Sequence, residues 1–221
     1  NTLAAATVKG TQRNAAFGTN IIRSIEEGSY TQYAPQFKRL LSWLLKRDGS
    51  TTTDPAIIKL SLMDKSTATK TTNWIAQNYP LWDVTTCTDS LLLADCVSNA
   101  DLIITGSSSG SSMTESFVAS MTSALSNAQS NGAALLYIHL HSWNTSTLSH
   151  PIANLMNLSM QSPGGPGNFY SNDSANWANY TPMLAGNSPI DNANKMVSAL
   201  SNNSFSFDVA SCNKSCEAFN S

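Results

Sequence analysis

The sequence predicts an α/β fold: a mostly parallel sheet with helices on both faces, doubly wound and flavodoxin-like, followed by a loop-rich C-terminal part. Three observations carry this. Strand-like and helix-like segments alternate from Asn14 to Leu140. Two strand segments, Asp101–Thr105 (DLIIT) and Ala133–Leu140 (AALLYIHL), are apolar on both faces, as strands of a parallel sheet covered on both sides must be. From Gln161 to Asn203 the texture shifts to Gly, Pro, Ser and Asn, with SPGGPGNFYSND near its head.

Each element has its own signal. Asn14–Phe17 reads as a strand meeting a turn at Gly18. In Pro35–Arg47 (PQFKRLLSWLLKR), Phe37, Leu40, Leu41, Leu44 and Leu45 follow the spacing of one helix face. Pro35 marks its start, and Asp48-Gly49 marks the expected stop. Ile57–Met63 is a short apolar strand, and Thr67–Asn78 a helix ended by Tyr79-Pro80. Ser112–Ser130 is a long amphipathic helix, with Ser112 and Glu115 spaced as a capping box and Asn131-Gly132 as its close. A later helix is expected near Asp191–Leu200.

Composition narrows the function. The 221 residues suit one large domain and can bury a sizeable core. The expected layout is a single α/β domain over 1–221, with its core at about 14–160 and the loop-rich extension at 161–221. Only 12% of residues are charged and the net charge is −2, which argues against nucleic acid or an anionic membrane as the main partner, because both need a basic stripe. No apolar run approaches the ~20 residues that span a bilayer. The start has no basic-then-apolar leader, so any signal peptide is expected to have been removed.

The four cysteines fall into two local pairs, Cys87 with Cys96 and Cys212 with Cys216. Neither spacing is Cys-x-x-Cys, which disfavours a zinc ribbon or a thioredoxin motif. Two short disulfides in an oxidising compartment are favoured over four free thiols.

The chemistry-bearing motifs do not assemble into a catalytic set. Gly106–Gly110 (GSSSG) fits G-x-S-x-G after a strand, with Ser108 in the nucleophile position. A hydrolase of that type places its acid before its histidine in the chain. Between Ser108 and the last histidine, His150, the only acid is Glu115, which the capping box explains; Asp173, Asp191 and Asp208 follow every histidine. A metal site is no better supported. His139 and His141 sit at i and i+2 of a strand, on one face and ~6.6 Å apart. A third ligand is missing, and no His-Glu-x-x-His occurs. We therefore assign neither catalytic residues nor a metal site. The carboxyl ends of parallel strands remain the natural ligand crevice. Gly18, Thr19 and Asn20 after one strand, and His141, Trp143 and Asn144 after another, are the candidate binding residues.

A series of short segments also occurs in a telling order: FGTN at Phe17–Asn20, FKRLLSWLLKRDG at Phe37–Gly49, LIITG at Leu102–Gly106, YIHLHSWN at Tyr137–Asn144 and GGPGNFY at Gly164–Tyr170. Together they resemble the amino-terminal region of the immunomodulating metalloprotease type of enhancin-like zinc peptidases. That family consists of secreted bacterial enzymes that cleave mucin-like, O-glycosylated proteins. The resemblance implies a zinc-peptidase domain elsewhere in a longer polypeptide, with this chain as a non-catalytic scaffold or substrate-binding module. It implies no cofactor in this chain, a secreted or extracellular location, and two partners: the catalytic domain of the same polypeptide and O-glycosylated proteins. None of the family's zinc ligands can be carried onto a position here. The alternatives are a stand-alone glycan- or protein-binding module and a serine hydrolase working through Ser108.

Overall fold

The computed structural model describes residues 4–9, 11–17, 21–28, 34–47, 54–88, 92–106, 115–138, 152, 154–156, 158–161, 168–171, 197–199 and 204–206. In chain order its elements are β1 Ala4–Lys9, β2 Gln12–Phe17, α1 Ile21–Glu26, α2 Ala34–Leu44, β3 Ala56–Ser61, α3 Lys65–Asn78, β4 Trp82–Cys87, α4 Leu93–Val97, β5 Leu102–Gly106, α5 Glu115–Ser130, β6 Ala134–Ile138, β7 Leu158–Gln161, β8 Asn168–Ser171, β9 Val197–Ala199 and β10 Ser204–Ser206.

Eight strands form one sheet in the order β4-β3-β5-β6-β2-β1-β10-β9. The first five pair in parallel throughout, as expected for a doubly wound fold. The strands β3, β4, β5 and β6 take places 1, 2, 3 and 4 of the flavodoxin-like order 2-1-3-4-5. The fifth place is filled by β2, which precedes them all in the chain. The hairpin that β2 forms with β1, together with β10 and β9, extends the sheet with antiparallel pairs. A separate antiparallel pair, β7 with β8, flanks the SPGGPG stretch at the head of the Gly- and Pro-rich region.

Burial explains the apolar runs. Leu102, Ile104, Leu136, Ile138, Ile58, Leu60 and Phe17 pack with α1, α2 and α3 on one face. On the other face Ile103, Leu135, Tyr137 and Ala16 pack with α4 and α5. Every residue of β5 and β6 is buried.

The first face carries a run of aromatic contacts. Phe17 meets Phe37 edge-on at 5.6 Å, Phe37 meets Trp74 at 5.5 Å, Trp74 meets Tyr79 at 6.1 Å, and Tyr79 stacks on Trp82 at 3.8 Å. Such pairs add about 0.5–1.5 kcal/mol each beyond burial of their area. Burial alone pushes the Tyr79 phenol well above its ordinary range.

Some elements depart from the sequence-based expectation. The helix α2 ends at Leu44 rather than running on to Arg47. Lys46 adopts φ 57°, the Arg47 amide donates to the Ser42 carbonyl at 2.9 Å, and the Lys46 amide donates to Trp43 at 2.9 Å. This is a Schellman ending with lysine where glycine is usual. In α5 the same ending uses Gly132 (φ 107°), as its Asn131-Gly132 close suggests. The segment between Cys87 and Cys96 contains the start of α4. The helix expected near Asp191–Leu200 is corrected at Val197–Ala199, which is the strand β9. Its residues pair with β10, which in turn pairs with β1, and this tertiary pairing overrides a weak helical spacing.

Cys87 and Cys96 are joined in a disulfide, with Cα atoms 5.9 Å apart. It ties the end of β4 to α4. Cys212 and Cys216 lie outside the described residues. Closing a loop over a sequence separation of 9 removes unfolded-chain entropy of about 2–3 kcal/mol. The double replacement Cys87→Ser and Cys96→Ser is therefore expected to lower stability by about that amount in urea unfolding. A loss below about 0.5 kcal/mol would show that the bridge does not constrain the unfolded chain.

Candidate functional site

The chain leaves β3 for β4 at the sheet's edge, then returns past β3 to β5. The carboxyl ends of β3 and β5 are thus the topological switch point, where doubly wound folds place ligands. Ser61 ends β3 opposite Thr105 of β5, and Thr105 faces Tyr137 of β6. With Cys87 of β4 and Ala16 of β2 these residues form one row across five strands.

The centre of that row is polar and buried. Ser61 is 1% exposed and Thr105 is 0% exposed. The Ser61 Oγ and Thr105 Oγ1 atoms have no hydrogen-bond partner among the described residues. Leaving a buried hydroxyl unpaired costs about 1–3 kcal/mol, so two adjacent ones mark an unusual spot in the sheet. Hydroxyls can orient a ligand or a water, but they supply no acid–base group at neutral pH.

Lys59 and Asp64 flank this spot in the chain. Lys59 is 8% exposed, and its ammonium donates to Thr85 Oγ1 at 3.2 Å. Past Leu62, with φ 57°, Asp64 caps α3. Its carboxylate accepts from the Thr67 amide at 2.9 Å and from the Thr67 hydroxyl at 2.7 Å. The Thr67 hydroxyl, then its amide, holds the Asp64 carboxyl below the usual carboxylate range. Asp64 is therefore committed to capping.

The strand β2 is anchored on both faces. Arg13 lies over the Trp43 ring at 5.1 Å and donates to the Trp43 carbonyl at 2.8 Å. On the other face Gln129 donates to the Asn14 side chain at 2.7 Å, in a buried bond 115 residues apart in sequence. Gln12 donates to the Gln129 carbonyl at 2.9 Å. These bonds fix β2 beside β6, where Phe17 and Ile138 are register partners. Gly18, Thr19 and Asn20 follow Phe17 in the chain; His141, Trp143 and Asn144 follow Ile138. All six, with Ser108, His139 and His150, lie outside the described residues. Sequence reasoning missed Ser61 and Thr105, whose only signal is a hydroxyl at the end of an apolar strand.

No three His, Cys, Asp or Glu side chains converge among the described residues. Cys87 and Cys96 are consumed by their disulfide. Among the described residues no helix is long and apolar enough to cross a membrane.

Strand order and switch point together define a doubly wound α/β domain whose parallel core is entered by its own N-terminal hairpin. The profile of the immunomodulating metalloprotease N-terminal domain matches residues 1–169, and the chain belongs to that family. The immunomodulating metalloprotease of Pseudomonas aeruginosa is 24% identical over 172 residues, covering 77% of this chain and 17% of its own length. Two solved structures share the fold. The IMPa metallopeptidase from Pseudomonas aeruginosa aligns with a TM-score of 0.54 at 23% identity, over 71% of this chain and 16% of the other. IMPa from Pseudomonas aeruginosa in complex with an O-glycopeptide aligns with a TM-score of 0.55 at 24% identity, over 74% of this chain and 17% of the other. This chain thus spans about a sixth of the length of these relatives.

Proposed function

We propose that this chain is the non-catalytic N-terminal domain of a secreted zinc metallopeptidase acting on O-glycosylated, mucin-like proteins, and that it holds substrate for a catalytic domain in the same polypeptide. The observation that carries this reading is the family match over residues 1–169, in a chain without a His-Glu-x-x-His segment. A relative solved with an O-glycopeptide supports the substrate class. In this reading the zinc belongs to the catalytic domain, residues 1–221 fold as one domain, and Cys212 pairs with Cys216.

Substrate is held at the carboxyl edge of the parallel sheet, by Gly18, Thr19, Asn20, His141, Trp143 and Asn144. These residues follow the paired strand ends Phe17 and Ile138. An aromatic ring such as Trp143 can stack on a sugar and anchor it. Trp143→Ala is expected to weaken binding to an O-glycosylated protein about tenfold while leaving the melting temperature nearly unchanged. Calorimetric titration and thermal unfolding of the same variant check this. A fall of many degrees in melting, with no glycoprotein binding by the unaltered chain, would make Trp143 structural and the domain a scaffold.

A further inference from the structure

The two outer strands of the eight-stranded sheet differ in how they are protected. At one end β9 has 3 residues, and a strand that short offers little to a partner. At the other end β4 has 6 residues, WDVTTC, spanning ~20 Å. It pairs with β3 residue for residue from Trp82 to Cys87, without a bulge. It contains no lysine, arginine or proline, and Asp83 is its one charge. Natural sheets blunt open edges with short strands, lysines, prolines or bulges, or else cover them. Among the described residues, the exposed Asp83 is the one such device on β4, since any edge charge discourages pairing to some degree.

A second observation falls at the same place. The exposed large hydrophobic residues among those described are Leu81, 53% exposed, and Leu92, 57% exposed. Leu81 directly precedes β4, and Leu92 lies between β4 and α4. The disulfide from Cys87 to Cys96 ties the far end of β4 to α4, so the edge is presented in a fixed shape.

We infer that the outer edge of β4, with the exposed Leu81 before it and Leu92 after it in the chain, is a docking surface that receives an extended segment from the remainder of the same polypeptide. This rests on the proposed function, because that reading supplies the remaining polypeptide. The relatives supply the scale: this chain matches only 17% of the curated relative's length. An edge with no strand paired to it among the described residues, held permanently beside so much further chain, is most simply covered by it. Strand addition uses backbone hydrogen bonds along the edge, and exposed leucines beside it in the chain add apolar anchors.

Hydrogen–deuterium exchange on the 221-residue chain and on the longer natural polypeptide tests this. The β4 amides not bonded to β3 are expected to exchange freely in the first and at least tenfold more slowly in the second. The double variant Leu81→Asp, Leu92→Asp is expected to restore fast exchange in the longer polypeptide. The melting temperature of the 221-residue chain should stay unchanged, since both side chains are exposed. Free exchange of β4 in the longer polypeptide overturns the inference. So does protection that appears only as the 221-residue chain is concentrated, which makes the occupant a second copy, or only when O-glycosylated protein is added, which makes it substrate. A natural reading frame with no further domain overturns the proposed function itself. That result is read from the gene, so the two failures are distinguishable.

Discussion

Trp74→Ala is expected to destabilise the chain by about 3–5 kcal/mol, among the largest losses available to a single substitution. Trp74 is 5% exposed and bridges Phe37 of α2 and Tyr79 beyond the end of α3. Its removal leaves a cavity and breaks both ring contacts, so transfer, cavity and aromatic losses add. At about 2–4 °C per kcal/mol for a chain of this size, melting should fall by roughly 6–20 °C. Trp74→Phe keeps a ring and should lose much less. Leu81→Ala, at an exposed position, should stay within about 0.5 kcal/mol of the parent. If Trp74→Ala melts within a degree or two of the parent, the aromatic run does not tie α2 to α3.

The same packing decides what could be read from the sequence. The strands β5 and β6 were legible because both faces are buried, which writes a continuous apolar run into LIITG and ALLYI. The face of α2 was legible in Phe37, Leu40, Leu41 and Leu44, all buried. Its end was not, because Lys46 takes the left-handed conformation that glycine usually signals. The strand β4 left little trace: between Trp82 and Cys87 its residues are exposed or half-buried, as at a sheet edge. The place of β2 beside β6 has no local signal at all. It arises from pairing across more than a hundred residues, held by the Asn14–Gln129 bond. The carboxyl edge of the sheet followed from the α/β alternation, but the switch point between β3 and β5 did not, since strand order is set by tertiary pairing, and neither did Ser61 and Thr105, since a hydroxyl at a strand end reads the same whether buried or exposed. The binding candidates Gly18, Thr19, Asn20, His141, Trp143 and Asn144 rest on their following strand ends that the structure pairs.

The second large effect concerns activity. If the proposed function holds, removing this domain from the longer polypeptide is expected to raise KM for an intact O-glycosylated protein roughly tenfold to a hundredfold, with kcat nearly unchanged. A tethered binding module acts by effective concentration: it holds substrate near the active site without entering the chemistry. Its contribution therefore appears in KM, because binding that is equal in ground and transition states leaves the chemical step alone. The contrast lies in substrate length. A short glycopeptide cannot reach both the domain and the active site, so its kcat/KM should be the same with and without the domain. Deletion could also disturb the neighbouring fold, and Trp143→Ala in the undeleted polypeptide separates the two effects. Substrate capture predicts that this variant reproduces the KM rise on the intact glycoprotein while melting stays in place. A loss shared equally by the short glycopeptide and the intact protein, accompanied by a fall in melting temperature, would make the domain a scaffold for its catalytic neighbour and end the capture reading.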